Sequence, residues 1–127
     1  MVIKIQLGGI VIQIQYRNNK LEKVCHDYKK AQKEFNTNVA EKLLALIKLL
    51  ERVECLNDIY MLRQYNLHPL QGDRKGQYAI DLGRKLGFRL IIIPLDEDGN
   101  VWEEKDLQKI YRITTVILVW EVSKHYE

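Results

Sequence analysis

Apolar residues recur every three or four positions between residues 18 and 55, whereas beyond residue 66 they alternate with polar ones or run on unbroken. The first spacing lays an apolar stripe along a helix and the second lays an apolar face along a strand. Each kind of element must bury that face against another. Helices first and strands later therefore predict an α+β fold in which a helix pair packs on one face of a twisted antiparallel sheet.

In the helical stretch, Asn18-Asn19 offers an N-cap with Glu22 at the capping-box position, and Leu21, Val24, Cys25, Tyr28, Ala31 and Phe35 follow at helical spacing. Asn38 with Glu41 is a second capping pair, opening a helix over 39–54 whose stripe is Val39, Leu43, Ile47, Leu50 and Val53. Residues 56–66 read as a turn or broken helix, with Leu56, Ile59 and Leu62 in the core. The lysines of the first helix, Lys20, Lys23, Lys29, Lys30 and Lys33, read as a solvated face.

Before the helices, two alternating runs, 1–7 and 10–16, flank Gly8-Gly9, the composition of a two-residue hairpin turn. Pairing Leu7 with Ile10 sets Ile5 opposite Ile12 and Ile3 opposite Ile14. After the helices, 77–82, 88–93 and 114–122 read as strands, with Pro94 ending the second. An acidic, mobile loop over 95–103 and a short helix around 104–111 separate the last two strands. One domain is expected over the 127 residues: a β-hairpin at 1–16, the helix pair at 18–55, and the sheet at 67–127.

Cys25 and Cys55 sit among apolar residues outside any CxxC or CxxH pair and read as reduced core thiols. The N-terminus has no signal-peptide pattern and no stretch matches a membrane span, which predicts a soluble, cytoplasmic protein without membrane contact. The net charge of +3 is modest but unevenly spread. Residues 68–89 carry five Lys/Arg against two Asp/Glu, whereas 95–106 carries six acids against Lys105. The acidic run Asp96-Glu97-Asp98-Gly99-Asn100 lacks the ligand spacing of an EF-hand, and no other set suggests a metal or cofactor.

The chemistry concentrates in 67–78, where Gly72 and Gly76 bracket Asp73, Arg74 and Lys75 just before a strand. Glycines let backbone turn sharply and approach a partner closely, and Arg74 and Lys75 at the strand entrance suit phosphate oxygens. Arg89 is the odd residue in the apolar run 88–94 and is expensive to bury without an anion. Either it serves a ligand or it pairs internally with Asp73 or Asp81. The segment 68–89 thus reads as a cationic, glycine-punctuated surface for an RNA backbone. The tail 121–127 reads by itself as a frayed end.

The run LHPLQGDRKGQYAIDL, the strand GFRLIII and the terminal histidine together resemble the RelE/ParE superfamily of bacterial toxins, with the HigB-type plasmid-maintenance branch as the nearest match. The resemblance spans about residues 12–127. It implies the α+β fold already expected, and the function of the toxin in a type II toxin–antitoxin pair: a ribosome-dependent messenger RNA endoribonuclease. It also implies a cognate antitoxin, often one carrying a helix-turn-helix DNA-binding domain.

By that resemblance His68, Arg89 and His125 are the catalytic residues, and Arg74, Lys75, Tyr78, Lys124 and Tyr126 contact RNA. The chain departs from the family pattern where Ser123 and Lys124 stand in place of an acid and an aromatic, and where an N-terminal hairpin replaces the branch's single opening strand, residues 1–9 reading as an added edge strand, an antitoxin-contacting ribbon or an extended start. Metal-free cleavage needs a base for the 2′-hydroxyl, an acid for the leaving 5′-oxygen and cations for the phosphoryl charge. Imidazole can fill either proton-transfer role near neutral pH. Two other readings remain open: a ParE-like toxin that poisons a protein such as DNA gyrase without chemistry, and a degenerate RNA-binding domain without turnover.

Overall fold

The computed structural model describes residues 5–6, 9–83 and 85–124. In chain order the elements are β1 (Ile5–Gln6), β2 (Gly9–Ile10), β3 (Gln13–Tyr16), α1 (Asn19–His26), α2 (Tyr28–Glu34), α3 (Thr37–Leu50), α4 (Asn57–Tyr60), β4 (His68–Pro69), β5 (Tyr78–Asp81), β6 (Phe88–Leu95), α5 (Leu107–Ile113) and β7 (Val116–Lys124). Short 3-10 turns at Arg63–Tyr65 and Gly72–Arg74 flank β4. The chain is an α+β protein built on a five-stranded sheet of order β3-β7-β6-β5-β4.

Three of the four strand pairs are antiparallel, but β3 runs parallel to β7, pairing Ile14 with Ile117 and Tyr16 with Val119. The antiparallel arrangement expected of β5, β6 and β7 is found, and β3 adds to it in parallel. Among the described residues the N-terminal hairpin is a short antiparallel ribbon, with Ile5 opposite Ile10 and Gln6 opposite Gly9. The register differs from the expected pairing of Leu7 with Ile10, and Ile3 lies outside the described residues. Beyond β2 the chain leaves the ribbon because Val11 and Ile12 turn into the core, where the Ile12 amide donates to the Val53 carbonyl at 3.0 Å. Joining β7 then buries Ile14 against the core.

Asn18 caps α1, accepting from the Leu21 amide at 2.9 Å. The single helix expected over the first stripe is broken at Asp27, whose backbone is extended and whose carboxylate accepts from the Lys30 amide at 3.1 Å to start α2. A short acidic side chain that can bond nearby amides competes with the continuing helix. The cap of α3 is Asn36, not Asn38, accepting from the Val39 amide at 2.9 Å. Leu56 and Ile59 are fully buried as expected, but Leu62 is exposed at the 3-10 turn.

Pro94 does not end β6, which continues to Leu95 opposite Val116. Pairing with β5 stops at Ile92, so at Pro94 β6 pairs among the described residues with β7 alone, the setting in which a proline without N–H is tolerated. The acidic loop is tied down. Asp96 accepts from the amides of Asp98 and Asn100, Val101 bridges back to Leu95, and Trp102 Nε1 donates to buried Thr114 at 2.9 Å. Asp106 then caps α5.

One face of the sheet, carrying Ile80, Leu90, Ile92, Ile117 and Val119, packs on Leu43, Leu46, Ile47 and Leu50 of α3 and on Val24, Cys25 and Ala31 of α1 and α2. The other face positions the functional residues. Its pattern depends on a bulge in β7, where Ile91 opposes Glu121 but Ile92 opposes Val119, leaving Trp120 as an extra residue. An extra residue inverts the alternation beyond it. Glu121 and Ser123 therefore share the face of Ile91 and Arg89, while Val122 and Lys124 turn to the helix side.

Candidate nucleic-acid interface

Two cross-strand rows define the open face. One is His68, Ala79, Ile91 and Glu121, and the next is Asp81, Arg89 and Ser123. Ala79 and Ile91 are fully buried, which gives the face an apolar floor and a polar rim. His68 stands two strands from Arg89 and one row away, about 10 Å across the sheet and about 7 Å along it. An arginine and an imidazole can reach from those positions to one phosphate group between them.

His68 is held from below. Its Nδ1 lies 2.6 Å from the Asn66 carbonyl, which can only accept, so the hydrogen sits on Nδ1 and Nε2 is left for the open side. Asn66 makes this bond from a left-handed backbone, φ 46°, the only positive φ of a non-glycine among the described residues. Its side-chain amide donates to Asp81 Oδ2 at 3.3 Å. Asn66 thus joins the imidazole to the carboxylate that stands directly across from Arg89.

Arg89 forms no ion pair among the described residues, so the internal pairing with Asp73 or Asp81 is not the arrangement found. Its Nε is buried with no hydrogen-bond partner among the described residues, and so is Oγ of Ser123, the residue directly opposite. Two adjacent orphaned polar atoms mark a place where native chains commonly receive a ligand or a water.

Arg74 is engaged differently from the expectation. Its guanidinium binds the Glu121 carboxylate at 2.5 Å and its Nε donates to Gln77 Oε1 at 2.9 Å, so it answers a carboxylate of the same face instead of standing free. Lys75 is exposed on the turn. The close approach allowed by glycine is taken up within the chain at Gly76 (φ +90°), where an added Cβ would lie 3.1 Å from Val101 Cγ1.

Two residues expected to contact RNA lie on the face opposite Arg89. Tyr78 points to the helix side, is nearly buried, and packs edge-on to Tyr111 with centroids 6.0 Å apart; burial pushes its phenol above the usual tyrosine range. Lys124, turned by the bulge, lies over the Phe88 ring at 5.8 Å, on the opposite face from Arg89. His125 and Tyr126 lie outside the described residues.

Asn66, Glu121 and Ser123 belong to the site without having been singled out for these roles. Only Asn66 left a signal: asparagine is the commonest non-glycine residue in the left-handed position that closes a helical turn. Among the described residues no group of three or more His, Cys, Asp or Glu could hold a metal ion, and no helix is long and apolar enough to cross a membrane.

No protein-family model and no curated protein matches this sequence. Among solved structures, the chain is similar to a YoeB/ParE toxin from Agrobacterium tumefaciens, with a TM-score of 0.49 and 14% identity over 91% of this chain and 100% of that one. It is also similar to a YafQ variant from E. coli, with a TM-score of 0.47 and 20% identity over 89% of this chain and 92% of the other.

Proposed function

We propose that this chain is the toxin of a type II toxin–antitoxin pair and cleaves messenger RNA on the ribosome without a metal, partnered by an antitoxin that neutralises it. The observation that carries the reading is the placement of His68 and Arg89 on one sheet face, with Nε2 of His68 unengaged and Nε of Arg89 without a hydrogen-bond partner among the described residues. The HPL and FRLI motifs supply the chemical assignment by resemblance.

In this mechanism the Nε2 of His68 exchanges a proton with the 2′-hydroxyl or with the leaving 5′-oxygen. His125 takes the complementary role by family resemblance. The 2′-oxygen attacks the adjacent phosphorus, the P–O5′ bond breaks, and the products carry a 2′,3′-cyclic phosphate and a 5′-hydroxyl. Arg89 donates to the phosphoryl oxygens as charge builds on them, the kind of interaction that strengthens toward the transition state. Lys75 meets a flanking phosphate as a point charge.

The test is a reporter messenger RNA on translating ribosomes, with wild type and with His68→Ala. Cleavage by wild type with cyclic-phosphate ends, reduced at least a hundredfold in the variant, is expected. Equal loss of RNA in both reactions, or in neither, would sink the nuclease. Binding without cleavage would favour the non-catalytic RNA-binding alternative.

A further inference from the structure

Beside the open face lies a cleft of about 590 Å³ whose lining includes Lys42 of α3, Arg63 and Gln64 of the 3-10 turn, Asn66, and Asp81 of β5. We infer that this cleft is a subsite for one nucleotide of single-stranded RNA, its phosphate held by Lys42 and Arg63 and the amino group of its base donated to Asp81. The inference rests on the RNA-cleaving reading only for the identity of the strand that passes by.

Three observations carry it. Lys42 and Arg63 are both exposed and neither forms an ion pair among the described residues, so two cations from different elements are available to one anion. Asp81 uses Oδ2 for Asn66, and no hydrogen bond to its Oδ1 is formed among the described residues, leaving an acceptor for a donor on the ligand. The volume falls within the range of small-molecule sites, about 300–1,000 Å³, and suits a nucleotide.

The mixture of charges selects the ligand class. A bare anion drawn in by Lys42 and Arg63 would also meet the charge of Asp81, whereas a nucleotide separates a phosphate from a base edge that can donate. Cytosine presents an amino donor where uracil presents a carbonyl, so a carboxylate discriminates between these two pyrimidines of nearly equal size. Asn66 and Asp81 line the cleft and also carry the bonds that fix His68, so a nucleotide here is a neighbour of the one at the reacting phosphate.

The experiment uses the full chain and fluorescein-labelled 2′-O-methyl oligoribonucleotides, a cytidine run and a uridine run, which lack the attacking hydroxyl and cannot be cleaved. Anisotropy titrations over a range of salt should give about tenfold tighter binding of the cytidine run. Asp81→Asn should erase that preference. Lys42→Ala and Arg63→Ala should each lower the slope of log Kd against log salt by about 0.7, the value for one phosphate contact on a single strand.

Equal affinity of wild type for the two runs, no binding of either, or unchanged salt slopes in both cation variants would overturn the subsite. Because catalysis plays no part in these titrations, a protein that binds as expected but never cuts RNA would retain the subsite and lose the nuclease. Cleavage without cytidine preference would do the reverse.

Discussion

Arg74 and Glu121 meet as an ion pair on the face that also carries His68 and Arg89, 47 residues apart in the chain. A guanidinium so engaged is a reserve of positive charge. Glu121→Gln removes a negative charge from the RNA face and releases Arg74 for phosphate, and is expected to tighten single-stranded RNA binding by roughly threefold to tenfold at low salt. Both side chains are about a third exposed, so solvent screens the pair and its loss should change stability by no more than about 1 kcal/mol. Anisotropy and thermal melting read the two effects; unchanged or weaker binding would place Arg74 off the RNA path.

Arg89 carries a buried donor with no partner among the described residues, a defect of about 1–3 kcal/mol in a folded chain. Arg89→Met keeps the length of the stem and discards the donor. The variant is expected to be as stable as wild type or up to about 2 kcal/mol more stable in urea unfolding, while RNA cleavage falls by two orders of magnitude or more. A large loss of stability would mean that the guanidinium serves the fold.

Much of the architecture was legible because periodicity survives in a single chain. The stripes of α1, α2 and α3, apart from exposed Tyr28, and the apolar runs of β5, β6 and β7 lie close to where spacing placed them. What escaped was set by partners distant in sequence. The parallel pairing of β3 with β7 depends on Ile12 and Ile14 finding the core, which no local pattern announces. Pro94 read as a terminator because its neighbour on one side was unknown.

The site shows the same division. Arg89 announced itself as a charge in an apolar strand, and His68 through its motif. The face of Lys124 did not, because simple alternation carried past Trp120 gives the wrong side once a bulge inserts one residue, and that of Tyr78 did not, because it follows from its pairing with Ile92 of β6. Arg74 looked free because Glu121 lies far along the chain.

Cys25 and Cys55 should separate by reactivity. Cys25 is about 1% exposed, and burial, with Glu22 beside it, pushes its thiol up to about 12, so it stays protonated at pH 8. Cys55 is only half-buried. Iodoacetamide at pH 8 is expected to modify Cys55 and spare Cys25 until denaturant is added, as read by peptide mass spectrometry.

The same burial makes the fold sensitive to base. In the unfolded chain Cys25 loses its proton near its ordinary value of 9.0, and in the folded chain only near 12, so its contribution is complete below pH 9 and is lost as pH rises from there. Tyr16 and Tyr111, raised chiefly by burial from 10.0, act in the same direction. Urea midpoints should be level from pH 7 to pH 8.5 and fall by pH 10.5; a midpoint that rises over that interval would contradict the assignment.

Asn66 offers the sharpest test of how the imidazole is aimed, since backbone and side chain can be separated. Asn66→Gly keeps the left-handed backbone at no steric cost and loses only the bond to Asp81, whereas Asn66→Val sets a β-branched residue at φ 46°, a strain of about 1–2 kcal/mol or more that moves the carbonyl away from His68. Nitrogen-15 NMR on the neutral ring should find the hydrogen on Nδ1 in wild type and in the glycine variant, and a mixture of tautomers in the valine variant. Cleavage should fall by severalfold in the first and by about a hundredfold in the second, the penalty expected when a reacting group is misplaced by about an ångström. If glycine and valine give the same tautomer and the same rate, the Asn66 carbonyl does not aim His68.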